Sequence, residues 1–327
     1  MRERKSFYVI FAIVAALVVP AAIALRTVIH PATLQVTSDN PTPLGYTWSL
    51  ALFIVPLGAL AWWFACRPDL KFPRKAFWRT IAVLAPLGFL LDLVFGNAFF
   101  IFPNKAATLG CEVPAIGGAI PIEEFVFYLT GFMLVLLSYI WCDEYWMAAY
   151  NVADYEAAAE GIPRIVRFHF ASVVLGGALI AAAIGYRKFL SGAPDGFPWY
   201  FIYLTCASLI PSAGFFHTAQ RFINWRAFSF TFFLLLLISL LWEVTLALPY
   251  GWWEYRRNIL IGLQIGAWSG LPIEEVCVWI AVTYATAIVF EIVKVLLASE
   301  RPVRQALLGT VDAPPQRQKK PQQPLQM

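Results

Sequence analysis

Two adjacent glutamates open what is otherwise an apolar, membrane-length helix. The stretch GGAIPIEEFVFYLTGF, Gly117 to Phe132, carries Glu123 and Glu124. A charged side chain at the bilayer centre costs about 2.5–3.5 kcal/mol on insertion scales, so a pair needs a reason. The pattern returns 151 residues later in GLPIEEVCVWIAV, Gly270 to Val282, as Glu274 and Glu275. The same shift matches another acid: Asp92 precedes Pro121 by 29 residues, and Glu243 precedes Pro272 by 29. Each half of the chain thus holds one acid late in an apolar run and an acid pair opening the next.

Acids in such surroundings can do proton chemistry. A carboxyl group in an apolar pocket beside a second carboxylate keeps its proton at neutral pH, and its ionised neighbour takes a proton back. That pairing suits general acid–base work on a substrate that lives in lipid. Aromatic residues crowd the same segments. Phe99, Phe102, Trp242, Trp252 and Trp253 are candidates to stabilise a cation through their ring faces, each contributing about 0.5–2 kcal/mol. Structural explanations compete. A glutamate at a helix start caps free N–H groups, and proline fits the first helical position, so one glutamate of each pair reads equally well as a cap. Aromatics in a membrane chain read first as packing or interfacial anchors. A pair that recurs with a matched Asp92 and Glu243 is harder to explain by structure alone.

The elements that position these residues are membrane helices. The chain is 60% hydrophobic and only 13% charged, with mean hydropathy +0.67, against about 25% charged in soluble domains. No sizeable soluble domain fits, and the net charge of +4 sits in short loops rather than in a nucleic-acid-binding patch. Apolar runs near 7–29, 47–66, 78–101, 119–141, 166–186, 198–215, 228–250 and 270–297 are each long enough to cross a hydrocarbon core of about 30 Å. Pro56, Pro86 and Pro211 fall inside three of them, as membrane helices tolerate. The first run, after MRERK, is read as a retained helix rather than a cleaved signal. With a cytoplasmic N-terminus, 18 of the 24 Lys and Arg fall inside and six outside, which favours both termini in the cytoplasm.

The expected architecture is all-α and polytopic, with about eight transmembrane helices. The 151-residue shift lays the helices of one half onto those of the other in the same order and orientation, giving two parallel four-helix repeats over 1–150 and 151–300. Residues 301–327, rich in Pro and Gln, read as a disordered cytoplasmic tail. The acids then gather in the outer half of the membrane. Five scattered Cys and three isolated His give no metal-binding spacing, and no Gly-rich dinucleotide motif is present. No metal or cofactor is expected.

Two tandem membrane units, each with a Pro-x-Glu-Glu motif opening a helix, resemble the heterodimeric and fused membrane lycopene cyclases of carotenoid synthesis. The resemblance is clearest over 90–140 and 241–297. It implies acid-catalysed, redox-neutral cyclisation of the linear ψ ends of lycopene or a related carotenoid, with no flavin. By match to the motif it nominates Glu123, Glu124, Glu274 and Glu275 as catalytic. Asp92 and Glu243 join them through the repeat alignment. The family leads one to expect about three helices per unit, whereas four are counted here. The implied setting is the bacterial cytoplasmic membrane. The implied partners are a lipophilic polyene and membrane lipid, with no nucleic acid, and with self-association or contact with other carotenoid enzymes left open.

Other readings use the same acids. A carotenoid hydratase or another isoprenoid cyclase differs only in how the cation is quenched. A proton-coupled transporter also carries membrane carboxylates and internal repeats. A prenyltransferase lacks its Asp-rich motif here. An intramembrane protease of the EExxxR type fails because Phe-Val-Phe-Tyr follows Glu124 and Val-Cys-Val-Trp follows Glu275.

Overall fold

A computed structural model describes residues 42–70, 72–152, 155–268 and 270–309. The expected helix at 7–29 and residues 310–327 of the expected tail lie outside these residues, whereas Val303–Leu308, expected as disordered tail, form a short helix that buries Ala306. Seven described helices are long and apolar enough to cross a membrane: α1 Gly45–Ala65, α2 Arg74–Phe99, α3 Ile122–Trp146, α4 Phe170–Leu190, α5 Trp199–Ala219, α6 Trp225–Ala247 and α7 Ile273–Ala298. The protein is an all-α polytopic membrane protein. Pro56, Pro86 and Pro211 sit within α1, α2 and α5 without ending them.

The helix ends follow local chemistry. Pro121 and Pro272 take the extended N-cap conformation of α3 and α7, and each places a Glu pair in the first turn, where negative charge complements the helix dipole. Asn224 caps α6 by accepting a hydrogen bond from the Ala227 N–H. Three helices widen into π turns at their ends: α3 over Cys142–Trp146, α4 over Tyr186–Leu190 and α6 over Glu243–Ala247. Such turns often accompany function, and the one in α6 begins at a candidate acid.

Short extended pieces join the helices at the motif end. Strand β1 (Phe100–Ile101) follows α2. Strands β2 (Glu112–Ala115) and β3 (Gly118–Pro121) form an antiparallel hairpin that feeds directly into α3. Strand β4 (Glu254–Tyr255) follows α6, while β5 (Gln264–Ile265) and β6 (Leu271–Pro272) form a matching hairpin that feeds α7. Strand β1 pairs antiparallel with β4, with Phe100 opposite Tyr255. Arg256 N–H donates to the Phe99 carbonyl at 3.0 Å, and Asn104 Nδ2 donates to the Tyr250 carbonyl at 3.0 Å. Both connections tie the two halves of the chain together.

The core is drawn from both halves of the chain, and a dense set of aromatic rings lies within it. Trp242 is 1% exposed. Its ring lies 5.1 Å from Phe53, 5.0 Å from Phe127 and 4.5 Å from Trp253, and its Nε1–H donates to Ser49 Oγ at 2.7 Å. Aromatic pairs of this kind contribute about 0.5–1.5 kcal/mol each beyond simple burial. Trp242 therefore locks α6 onto α1 and α3 beside the acids.

Candidate functional site

The six acids take three kinds of position. Glu124, Glu243 and Glu275 line a cavity of about 60 Å³, together with Tyr46, Tyr200, Tyr255 and the rings of Trp242, Trp253 and Trp279. Asp92 is buried behind Glu124, close enough for the two charges to act on one another. Glu123 and Glu274 do not line the cavity. Each turns back to the loop before its own helix and accepts a backbone N–H: Leu109 N to Glu123 Oε1 at 2.7 Å, and Ile261 N to Glu274 Oε1 at 2.5 Å. Thr47 Oγ1 also donates to Glu123, at 2.5 Å. Arg187, 3% exposed at the end of α4, lies near enough to Glu274 to attract its charge, and one of its N–H groups donates to the Arg257 carbonyl at 3.4 Å. The first glutamate of each pair thus pins a loop, and the second faces the cavity. Adjacent residues on a helix point about 100° apart, and this separation lets one motif do both.

Helix spacing explains the lining. Glu124, Phe127, Tyr128 and Gly131 of α3 face the cavity, as do Glu275, Val278, Trp279 and Val282 of α7. Every pair is 151 residues apart, and each set follows the i, i+3, i+4, i+7 stripe of one helix face.

The polar contacts differ between the halves. Tyr46 hydroxyl donates to Glu124 Oε1. Tyr200 hydroxyl donates to Glu275 Oε1 at 3.4 Å, and Tyr255 hydroxyl donates to Glu243 Oε2 at 3.1 Å. Burial first, and then the Glu243 charge, hold the Tyr255 phenol well above its ordinary range, so it remains a donor. The Glu243 and Glu275 side chains also lie within hydrogen-bonding reach of each other. A hydrogen bond between two carboxyl groups needs a proton on one of them. The pair is thus placed to share one proton between its two members. Asp92, by contrast, has one buried oxygen, Oδ2, with no hydrogen-bond partner.

Of the nominated aromatics, Trp242 and Trp253 line the cavity. Trp252 is buried one layer away, stacked on Tyr46 at 6.4 Å and 6°. Phe99 packs against Tyr200 at 5.0 Å, while Phe102 is half-buried beside the core. Tyr46, Tyr200, Phe127, Tyr128 and Trp279 were not among the residues nominated from sequence. A tyrosine second in an apolar helix reads as an interfacial anchor, which hides Tyr46 and Tyr200. Trp279 and Tyr128 fall one turn beyond the motif glutamates, a spacing that points at the same face.

Among the described residues, no group of three or more His, Cys, Asp and Glu side chains is arranged to hold a metal ion. Chemically, the site is a mainly apolar chamber with three carboxyl groups, four phenols and several ring faces. Comparison with family models, curated proteins and solved structures finds no match to this chain.

Proposed function

We propose that this protein is a membrane cyclase of the lycopene cyclase type, acting on the linear ψ end of a carotenoid within the cavity shared by its two halves. The observation that carries the reading is the Glu243–Glu275 pair, its side chains within hydrogen-bonding reach of each other, facing a chamber walled by Trp242, Trp253 and Trp279. The carboxylic acid of this pair gives its proton to the terminal double bond. The resulting cation is attacked by the neighbouring alkene, which closes a six-membered ring. The indole faces stabilise the moving positive charge. A carboxylate then removes a proton from the ring and restores the double bond. Protons balance, no electrons are gained or lost, and no cofactor is consumed.

Both halves serve one site in this reading. Glu124 and Tyr46 come from the first half, and Glu243, Glu275, Tyr200 and Tyr255 from the second. The 151-residue match of the cavity-facing stripes supports two parallel repeats about an axis through the cavity. Glu124, Glu243 and Glu275 are assigned the proton chemistry, Asp92 a supporting charge behind Glu124, and Glu123 and Glu274 the positioning of the loops. The cavity is far smaller than the roughly 300–1,000 Å³ of drug-sized sites. Only the end group enters, with the rings moving apart to admit it, while the rest of the polyene stays in lipid.

A second reading has its own support. The Trp279 Nε1–H, on a residue lining the cavity, has no hydrogen-bond partner, and a bound water there would quench the cation to give a hydratase. Expression in a lycopene-producing bacterial host separates the two. A ringed product of unchanged mass supports the cyclase, and a product heavier by one water supports the hydratase. Unchanged lycopene beside folded membrane protein would sink both.

A further inference from the structure

The opposite ends of α3 and α7 hold a second cluster of acids that the cyclisation chemistry does not use. Lys294 pairs with Asp143 at 3.5 Å, Glu144 at 3.2 Å and Glu291 at 3.8 Å. Glu291 accepts hydrogen bonds from Tyr139 and Tyr155, each at 2.9 Å. Asp143 and Glu291 are fully buried, yet Glu144, Tyr155 and Lys294 border an open cleft of about 790 Å³. Water thus reaches the edge of this cluster.

Between the cluster and the cavity lie hydroxyls that behave unusually. Several hydroxyls on the spanning helices donate to the carbonyl four residues back: Thr80 to Ala76, Thr130 to Val126, Ser208 to Leu204, Ser229 to Trp225 and Thr245 to Leu241. Ser138 on α3, Ser239 on α6, and Thr283 and Thr286 on α7 do not. All four are at most 1% exposed, and their oxygens have no hydrogen-bond partner. In a low-dielectric interior such groups are costly, and they suit a path of transient water.

Their depths form a ladder. At about 1.5 Å per residue, Ser239 lies roughly 6 Å beyond Glu243. By the same rise, Thr283 and Thr286 lie about 12 and 16 Å beyond Glu275, Ser138 about 21 Å beyond Glu124, and Glu291 about 24 Å beyond Glu275. Along the helix axes, successive depths differ by at most about 6 Å with Thr283 counted, and by about 10 Å between Ser239 and Thr286 without it, a gap for water to bridge. At about 100° per residue, Ser138, Ser239 and Thr286 continue the cavity-facing stripes of their helices. Helices α3, α6 and α7 pack pairwise against one another.

We propose that these hydroxyls form a proton path from the open cleft, through Glu291, to the Glu243–Glu275 pair. Each hop breaks one O–H bond and forms another, so no electrons move and no further reactant is needed. The path resets the cavity acids when the carboxylate that receives a proton is not the group that gave it. It rests on the reading that the cavity pair holds an exchangeable proton.

The test is infrared spectroscopy of the purified full-length chain in lipid nanodiscs, without carotenoid. The protonated carboxyl band of the cavity pair is assigned by its loss in Glu275→Gln and Glu243→Gln, and its shift is timed after transfer to heavy water. The Ser138→Ala/Ser239→Ala/Thr286→Val variant is expected to exchange at least tenfold more slowly, and Glu291→Gln also slowly. Thr286→Val alone, nearly isosteric, is expected to slow exchange severalfold and covers the case in which the triple variant misfolds. Unchanged exchange in variants that melt like the wild type would overturn the path and leave the cyclase reading standing. Absence of any carboxyl band removed by Glu275→Gln would overturn both.

Discussion

The two halves carry acids at matched positions but hold them differently. In the second half, Glu243 and Glu275 lie within hydrogen-bonding reach of each other, and Tyr255 and Tyr200 brace them. In the first, Asp92 stands outside the cavity lining, and only Glu124, held by Tyr46, reaches it. Two local changes account for the difference. Asp92 is one methylene shorter than Glu243 and sits in regular helix, whereas Glu243 begins a π turn. The position matching Tyr255 in the first half is Asn104, whose side chain is spent on the Tyr250 carbonyl. In the proposed reading, matched sequence supplies two acid sets, and small departures from the match leave one to share a proton and the other to complete the chamber.

The sharpest way to break this comparison is to neutralise matched acids. Glu243→Gln is expected to lower ring formation at least 100-fold, in line with loss of a general acid or base, worth about 10²–10⁴. Asp92→Asn is expected to cost less than tenfold. Equal losses, measured as ringed pigment per folded protein, would make the halves equivalent. Next in size is Trp242→Ala, which removes a buried indole contacting both halves and is expected to destabilise by about 3–5 kcal/mol. Thermal melting in detergent reads this directly. Tyr255→Phe removes one donor to a carboxylate, about 1.5–3 kcal/mol, and is expected to slow ring formation by roughly tenfold or more, whereas Asn104→Ala leaves the rate nearly unchanged. Glu274→Gln keeps an acceptor for the Ile261 N–H, so it is expected to lower the melting temperature by a few degrees, with a smaller loss of rate than Glu275→Gln. The smallest effect is that of Gly96→Ala. Its added Cβ would meet Asp92 Oδ1 and Ile120 at 2.7 Å, displacing Asp92 and shifting the rate by a small factor.

Much of this was legible in the sequence. Hydropathy located seven described spans within a few residues of their ends, because about 20 apolar residues in a row have few other uses. The 151-residue shift located the acids, since a Pro-x-Glu-Glu pair and its upstream partner stand out against apolar surroundings. Which glutamate of each pair faces the cavity was not legible. That depends on the hairpin before the helix, whose strands are as short as two residues and leave no hydrophobic period to read. Tyr255 was visible only as one aromatic among many, and its role rests on the β1–β4 pairing between residues 155 positions apart. The Lys294 cluster was hidden for another reason. Charges near the ends of apolar runs read as interfacial, and only packing of α3 against α7 shows Asp143 and Glu291 to be buried.

The central claim is a single working cavity built from both halves. It is tested most directly by quantifying pigments in a lycopene-producing host that expresses chains impaired in one half at a time, Glu124→Gln or Glu275→Gln, with membrane protein levels matched. The account expects Glu275→Gln to leave no ringed carotenoid and Glu124→Gln to fall at least tenfold below wild type. Two chains that each kept about half the wild-type ring yield would contradict it, because that is the behaviour of two independent sites.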